Sequence, residues 1–310
     1  MKVWFGLLVW AFVAVWGLGE DAAGACTLVH LKGSVHKFTF HVSDFQINTL
    51  ASIGSDGVLL VDTGYEEQGR LIRRKLEEMG LGAPRYIINT HGHRDHTGGN
   101  RAFDGRTVVV GHAALWTKLH KHYHVLQDYP AYVYPQITFD QTLSLHFNGE
   151  EIQLTALPGA HEDNDIVVHF TRSGVVHMGD LAYRNGFPSI DGWDCDVRLF
   201  PGVVQKALDL FPEGTLFVAG HTSDLDRRDL EAFQRMLADT IGLVASHVAQ
   251  GQSLEWMRKN HLLKPWEDFG KEGYVRVDEW LTTIVNDLRN VHQKDRESLI
   301  PLVYEVYRKQ

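Results

Sequence analysis

The sequence predicts an α+β fold in which β-sheets are covered by helices, and three observations predict it. The chain is β-rich from about Thr27 to Leu60, it then alternates short apolar runs with amphipathic segments, and from Asp224 onward its texture is helical. In order, residues 37–41 and 46–53 read as paired strands, and 57–61 as a buried strand closed by Asp62 and Gly64. Residues 66–79 predict a helix: Leu71, Ile72, Leu76 and Met79 share a face, and Gly80 stops it. A strand over 85–89 leads into a histidine-rich loop, a short helix follows, and 107–110 is another buried strand. Residues 112–135 carry His112, His120, His122 and His124, but Leu115, Leu119, His122 and Leu126 form a helical stripe without a carboxylate. That pattern favours a packed helix over a metal site. Residues 143–147 and 150–154 flank Asn148-Gly149, a hairpin signal, and further strands are expected at 166–170, 175–178 and 215–219.

Two amphipathic helices close the pattern. Leu230, Phe233, Leu237, Ile241 and Val244 make one apolar face; Val277, Trp280, Leu281, Ile284, Leu288 and Val291 make another. A third helix is expected over 298–307. These faces need covering, so residues 226–310 are expected to pack on a main domain of 26–225. Internal repeats and low-complexity linkers are absent from the sequence.

With 310 residues, 44% of them hydrophobic and 22% charged, the chain can bury a sizeable core. A formal net charge of -9 argues against nucleic acid as a partner. Residues 1–25 read as a secretory signal peptide: Lys2, an apolar run from Val3 to Leu18, then Ala23-Gly24-Ala25 before the cut. Cleavage there makes Cys26 the first mature residue and predicts a secreted or periplasmic protein of net charge -8. Two other readings stand beside it. Cys26 could be lipidated, or the apolar run could remain as an anchor, for which it is short. Stable membrane insertion is expected only in those two cases. Cys26 and Cys195 are the two cysteines; they could pair or stay free, and lipidation of Cys26 would exclude a disulfide.

The chemistry is concentrated in residues 90–99, which read THGHRDHTGG. His91, His93, Asp95 and His96 fall within six positions, directly after a predicted strand. Imidazole and carboxylate are the usual ligands of zinc and similar divalent ions. Three later sites deliver a further donor at the end of a strand in a glycine-containing turn: His161, Asp180 and His221.

The order His-x-His-x-Asp-His, then His, Asp and His, resembles the metallo-β-lactamase superfamily over about residues 35–225, with Val61–Gly64 as its early landmark. The resemblance implies a four-layer αβ/βα sandwich with a C-terminal helical extension and two metal ions, zinc first, with iron or manganese as alternatives. It implies His91, His93 and His161 as ligands of one metal, Asp95, His96 and His221 as ligands of the other, Asp180 bridging both, and Asp62 steadying the site. His161 is followed by Glu-Asp-Asn, where members of the family often carry Thr and Gly. The implied activity is hydrolysis by a metal-activated hydroxide, with Asp95 orienting it as well as binding metal. An Asp at 180 fits ester, lactone, thioester or amide hydrolases of small molecules better than true β-lactamases, which usually carry Cys or Ser there. A β-lactam-hydrolysing enzyme is the alternative within the class, and a non-catalytic metal- or partner-binding module the alternative outside it. Tyr183, three residues after Asp180, is similarly placed to a tyrosine that holds the substrate carbonyl in superfamily lactonases. Phe45, Tyr132 and Trp193 are expected to line the pocket, with Tyr134 and Phe187 as further aromatic candidates.

Overall fold

Runs of β-branched and aromatic residues build two sheets, and the turns between them bring the polar motifs to one side. The structure, a computed structural model, describes residues 26–43, 45–120, 130–190 and 195–289. The first sheet has seven strands that neighbour one another in chain order: β1 (Cys26–Lys32), β2 (Val35–Val42), β3 (Phe45–Gly54), β4 (Gly57–Val61), β5 (Tyr86–Ile88), β6 (Val108–His112) and β7 (Ile137–Phe139). β1 to β4 pair antiparallel, and β4 to β7 pair parallel. The second sheet has five: β8 (Thr142–Phe147), β9 (Glu150–Ala156), β10 (Ile166–Phe170), β11 (Val175–Gly179) and β12 (Leu216–Ala219), of which β11 and β12 alone are parallel. Asn148 and Gly149 take positive φ (49° and 80°) in the turn joining β8 to β9, which is what an Asn-Gly hairpin requires.

The strand alternation sorts side chains into layers. Leu50, Leu59, Val61, Ile88 and Val110 of the first sheet meet Ile152, Leu154, Ile166, Val168 and Val175 of the second in the central core. Ile47, Ala51, Leu60 and Ile87 face the other way, onto Ile72 and Leu76 of α1 (Glu66–Glu78). The far face of the second sheet packs against α4 (Phe200–Leu210), α5 (Arg227–Ala249), α6 (Leu254–Lys259) and α7 (Val277–Leu288) through Phe217, Phe200, Phe233, Leu237, Met257 and Trp280. The result is the αβ/βα sandwich, helix outside sheet on both sides, with C-terminal helices continuing the outer layer.

One local expectation changed. The helix after the histidine motif begins inside it, as α2 (Arg94–Thr97), because His96 N and Thr97 N donate back to His93 O (3.1 and 3.0 Å). In the histidine-rich segment α3 spans Ala113–Lys118, and His122, His124 and Leu126 lie outside the described residues. So do the signal segment, Val291 and the helix expected over 298–307. Cys26 is exposed, Cys195 is buried, and the two are not joined.

Candidate metal centre

Loops leaving five strand ends converge between the two sheets. β4 delivers Asp62, β5 delivers His91, His93, Asp95 and His96, β9 delivers His161, β11 delivers Asp180 and β12 delivers His221. The stretch after β5 is pinned from behind. Asn89 Nδ2 donates to His96 O (3.1 Å), Asn100 Nδ2 to Asn89 Oδ1 (2.8 Å), Thr63 N to His96 O (2.9 Å) and Thr63 Oγ1 to Asn100 Oδ1 (2.8 Å). Asp62 holds a left-handed backbone at φ 60°, strain that its surroundings over-determine. Its carboxylate accepts from Thr90 N (2.8 Å), Thr90 Oγ1 (2.7 Å) and His96 Nδ1 (2.7 Å).

The structure brings together all seven donors expected from the motif. They form two groups, His91 with His93, His161 and Asp180, and Asp95 with His96 and His221; within each group the donor atoms lie within 4.8 Å of one another. Asp180 touches both groups. Its Oδ2 lies 3.2 Å from His221 Nε2 and 3.6 Å from His161 Nε2, and its Oδ1 lies 3.3 Å from His96 Nε2.

The donor set fits divalent metal. Inward-facing ring nitrogens approach one another: His91 Nε2 to His161 Nε2 at 3.3 Å, His161 Nε2 to His93 Nδ1 at 3.2 Å, His96 Nε2 to His221 Nε2 at 3.3 Å. The other nitrogen of each ring is engaged by the protein. Thr90 Oγ1 takes His91 Nδ1 (3.0 Å), Asp62 takes His96 Nδ1, and His93 Nε2 lies 2.9 Å from Glu162 Oε1 as an ion-pair contact. Ser189 O takes His161 Nδ1 (2.8 Å), and Gln46 O takes His221 Nδ1 (2.9 Å). A neutral imidazole that donates outward keeps its lone pair inward. Asp180 Oδ1 is buried and accepts no hydrogen bond. Lone pairs and carboxylate oxygens gathered this closely suit a cation between them, and histidine with carboxylate is the zinc-type set.

Electrostatics make the same demand. Burial opposes charge on His96, but Asp62, Asp180 and Asp95 outweigh it and hold its pKa well above the usual value. Burial likewise opposes charge on His221, yet Asp180 and Asp95 raise it to about 10. Burial, joined by His96 and His161, holds His91 well below the usual value. Burial alone would raise the Asp180 carboxyl; His221 and His96 hold it well below the carboxylate range. The carboxylates that raise these two buried histidines favour positive charge at their centre, and a bound cation would take the place of those protons.

The expected pocket residues fare differently. Phe45 stands edge-on to His221, ring centroids 5.5 Å apart. Tyr183 is buried, and its hydroxyl donates to Asp180 Oδ2 at 3.0 Å. Burial first, and Asp180 next, push that phenol's pKa well up, so it stays a neutral donor. Tyr132 packs against the Leu115, Leu119, Val133 and Tyr134 cluster, outside both donor groups. Phe187 is core, stacked near Trp280 at 6.1 Å. Trp193 lies outside the described residues. Sequence reasoning missed Thr90, Glu162 and Tyr274. Thr90 and Glu162 each adjoin a donor histidine in the chain, the one signal available. Tyr274 had none: its ring reaches within 5.3 Å of Phe45 and 6.0 Å of His221 from far along the chain.

Comparison with known proteins agrees with this architecture. The family model described as the metallo-β-lactamase superfamily matches residues 42–243. Among solved structures, a metallo-β-lactamase from Pontibacter korlensis is 18% identical with a TM-score of 0.60, covering 69% of this chain and 99% of that one. The metallo-β-lactamase FIM-1 from Pseudomonas aeruginosa, in its mono-zinc form, is 19% identical with a TM-score of 0.59, covering 69% and 95%. One from Hirschia baltica is 19% identical with a TM-score of 0.57, covering 68% and 97%. At such identities the likeness is one of fold. No curated relative matches the chain.

Proposed function

The chain belongs to the metallo-β-lactamase superfamily of metal-dependent hydrolases, and we propose that it is an exported dinuclear zinc enzyme that cleaves an ester, lactone, thioester or amide of a small molecule. The observation that carries this reading is Asp180, whose two oxygens lie against histidines of both donor groups. Bound zinc supplies Lewis acidity, lowering the pKa of water and polarising the scissile carbonyl.

The chain's own residues do the rest. His91, His93 and His161 would hold one ion and Asp95, His96 and His221 the other, with Asp180 placed between the two groups. Asp62 fixes the His96 tautomer and keeps that ring turned inward. Asp95, the carboxylate of the second group and more open than Asp180, is placed to orient the attacking water. Tyr183 holds Asp180 through its hydroxyl, so a substrate carbonyl reaching for that donor has to compete with a carboxylate. Phe45 and Tyr274 form an aromatic wall beside His221, which suits an apolar substrate group. The acidic net charge supports a small molecule over nucleic acid, and residues 1–25 support export. Among the described residues no helix is long and apolar enough to cross a membrane.

The test is a panel of a cephalosporin, an acyl-homoserine lactone, a glutathione thioester and an aryl phosphodiester, with metal-loaded protein before and after chelation. Turnover of an acyl member that chelator abolishes and His91→Ala removes is the expected outcome. Protein that binds metal but turns over none of the four would instead be a binding module.

A further inference from the structure

Two of the five cage histidines are backed by a carboxylate, one in each donor group. His96 has Asp62. His93 has Glu162, which follows His161 directly in the chain yet turns its side chain across to a different histidine, Oε1 lying 2.9 Å from His93 Nε2. Glu162 is fully buried, with 1% of its side chain exposed. A carboxylate in that position is expensive unless it is paired and hydrogen-bonded. Here Oε2 meets Lys118 Nζ, from the last turn of α3, and accepts from Asn164 Nδ2 at 3.2 Å. Its backbone is fixed too: Asp165 Oδ2 accepts from Glu162 N (2.6 Å) and His161 N (3.1 Å), so the turn carrying His161 also aims Glu162.

His93 is also the odd member of the cage. The other four histidines turn Nε2 inward and donate from Nδ1, to a hydroxyl, a carboxylate or a backbone carbonyl. His93 turns Nδ1 inward, and the hydrogen that makes this possible must sit on Nε2, the atom 2.9 Å from Glu162 Oε1. It is also the most open of the five, with 23% of its side chain exposed, so packing alone holds it least.

We propose that Glu162, braced by Lys118 and Asn164, is the positioning residue of the first donor group: it fixes His93 in the Nε2–H tautomer and thereby sets that group's hold on its metal. The inference rests on the metal reading above and adds to it a second carboxylate–histidine pair. The paired carboxylate has two effects. It orients the ring, and its negative charge strengthens the hold of Nδ1 on a cation.

Two variants separate these effects. Glu162→Gln keeps an acceptor for His93 Nε2 and removes the charge; Glu162→Ala removes both. Zinc is titrated into metal-free protein against a chromophoric chelator, and the histidine tautomers of loaded protein are read from long-range proton–nitrogen correlation spectra. The expected result is a ten- to hundred-fold weaker affinity for one of two ions in Glu162→Gln, the other unchanged. The Nε2-protonated signal of His93 should persist in Glu162→Gln and disappear in Glu162→Ala. If wild-type protein takes up two ions and Glu162→Gln takes up both with wild-type affinity, the proposal is overturned while the metal reading stands. If wild-type protein takes up none, the metal reading fails and this one with it.

Discussion

Each cage histidine presents one ring nitrogen to the centre and hands the other to the protein, so residue identity matters on both sides of the ring. Tyr183 is the clearest case of a side chain whose partner defines its part. Its hydroxyl donates to Asp180, so Tyr183→Phe leaves that oxygen with one donor fewer. We expect a loss of about 1–3 kcal/mol in metal binding or transition-state stabilisation. If kcat and metal affinity fall together while KM holds, the tyrosine acts through Asp180; a rise in KM alone would assign it to the substrate. His177, buried in β11 beside the cage, gives a pH prediction. Gly179 N donates to its Nδ1 (3.0 Å), so its proton sits on Nε2, which faces Asn48 O at 3.3 Å. Burial holds its pKa below the usual 6.5, and a second proton would have to displace the Gly179 contact. The unfolded chain therefore takes up the proton first, and stability falls as pH drops below about 6.5, by up to about 1.4 kcal/mol per pH unit from this group. Denaturant unfolding should show a shallower acid slope for His177→Gln than for wild type in the same metal state. Of these residues the motif histidines were legible in the sequence, because their spacing is itself the ligand pattern. Glu162 and Thr90 were not, because a contact between side chains on different loops leaves no period to read.

At the level of elements, the centre depends on how closely β11 and β12 bring their ends together. They are the parallel pair of the second sheet, and the turns after them carry Asp180 and His221. Gly220 N donates to Gly179 O at 2.8 Å, locking the two turns to each other. A Cβ on Gly220 would lie 2.4 Å from Asp180 Oδ1 and 3.0 Å from His96 Cε1. Gly220→Ala should therefore push the carboxylate off its place. A displacement of about 1 Å costs on the order of a hundredfold in rate, with circular dichroism unchanged. Normal activity in that variant would show that Asp180 has room to move. The strand pairs on either side were readable from alternation and the Asn-Gly turn, since those signals are local. The start of α2 was not, because it depends on His93 O receiving two backbone donors within a motif whose composition reads as a loop.

For the whole molecule, the C-terminal helices hold one wall of the sandwich, and the segment before α7 sets Tyr274 beside His221. Trp280 on α7 is fully buried, stacks near Phe187 and donates from Nε1 to Thr240 Oγ1 on α5 (3.0 Å). Trp280→Ala should cost about 3–5 kcal/mol and lower the melting temperature by many degrees. A shift of under a degree would mean that these helices contribute little to the stability of the core. The same region anchors Tyr274: Glu272 N donates to Asn185 O (3.2 Å), and the Glu272 carboxylate accepts from Asn185 Nδ2 (3.1 Å) and Ser223 Oγ (2.5 Å). These contacts tie the chain beyond the matched family region to the loops after Asp180 and His221. By itself the sequence determined the layers, the family and the seven donors, because apolar period and ligand spacing are properties of adjacent residues. Only the tertiary structure decided which outer nitrogen each histidine gives up and to whom, that Tyr183 serves Asp180, and that Tyr274 faces His221. Those are contacts between segments tens to hundreds of residues apart, and their geometry exists only once both sheets have closed on each other.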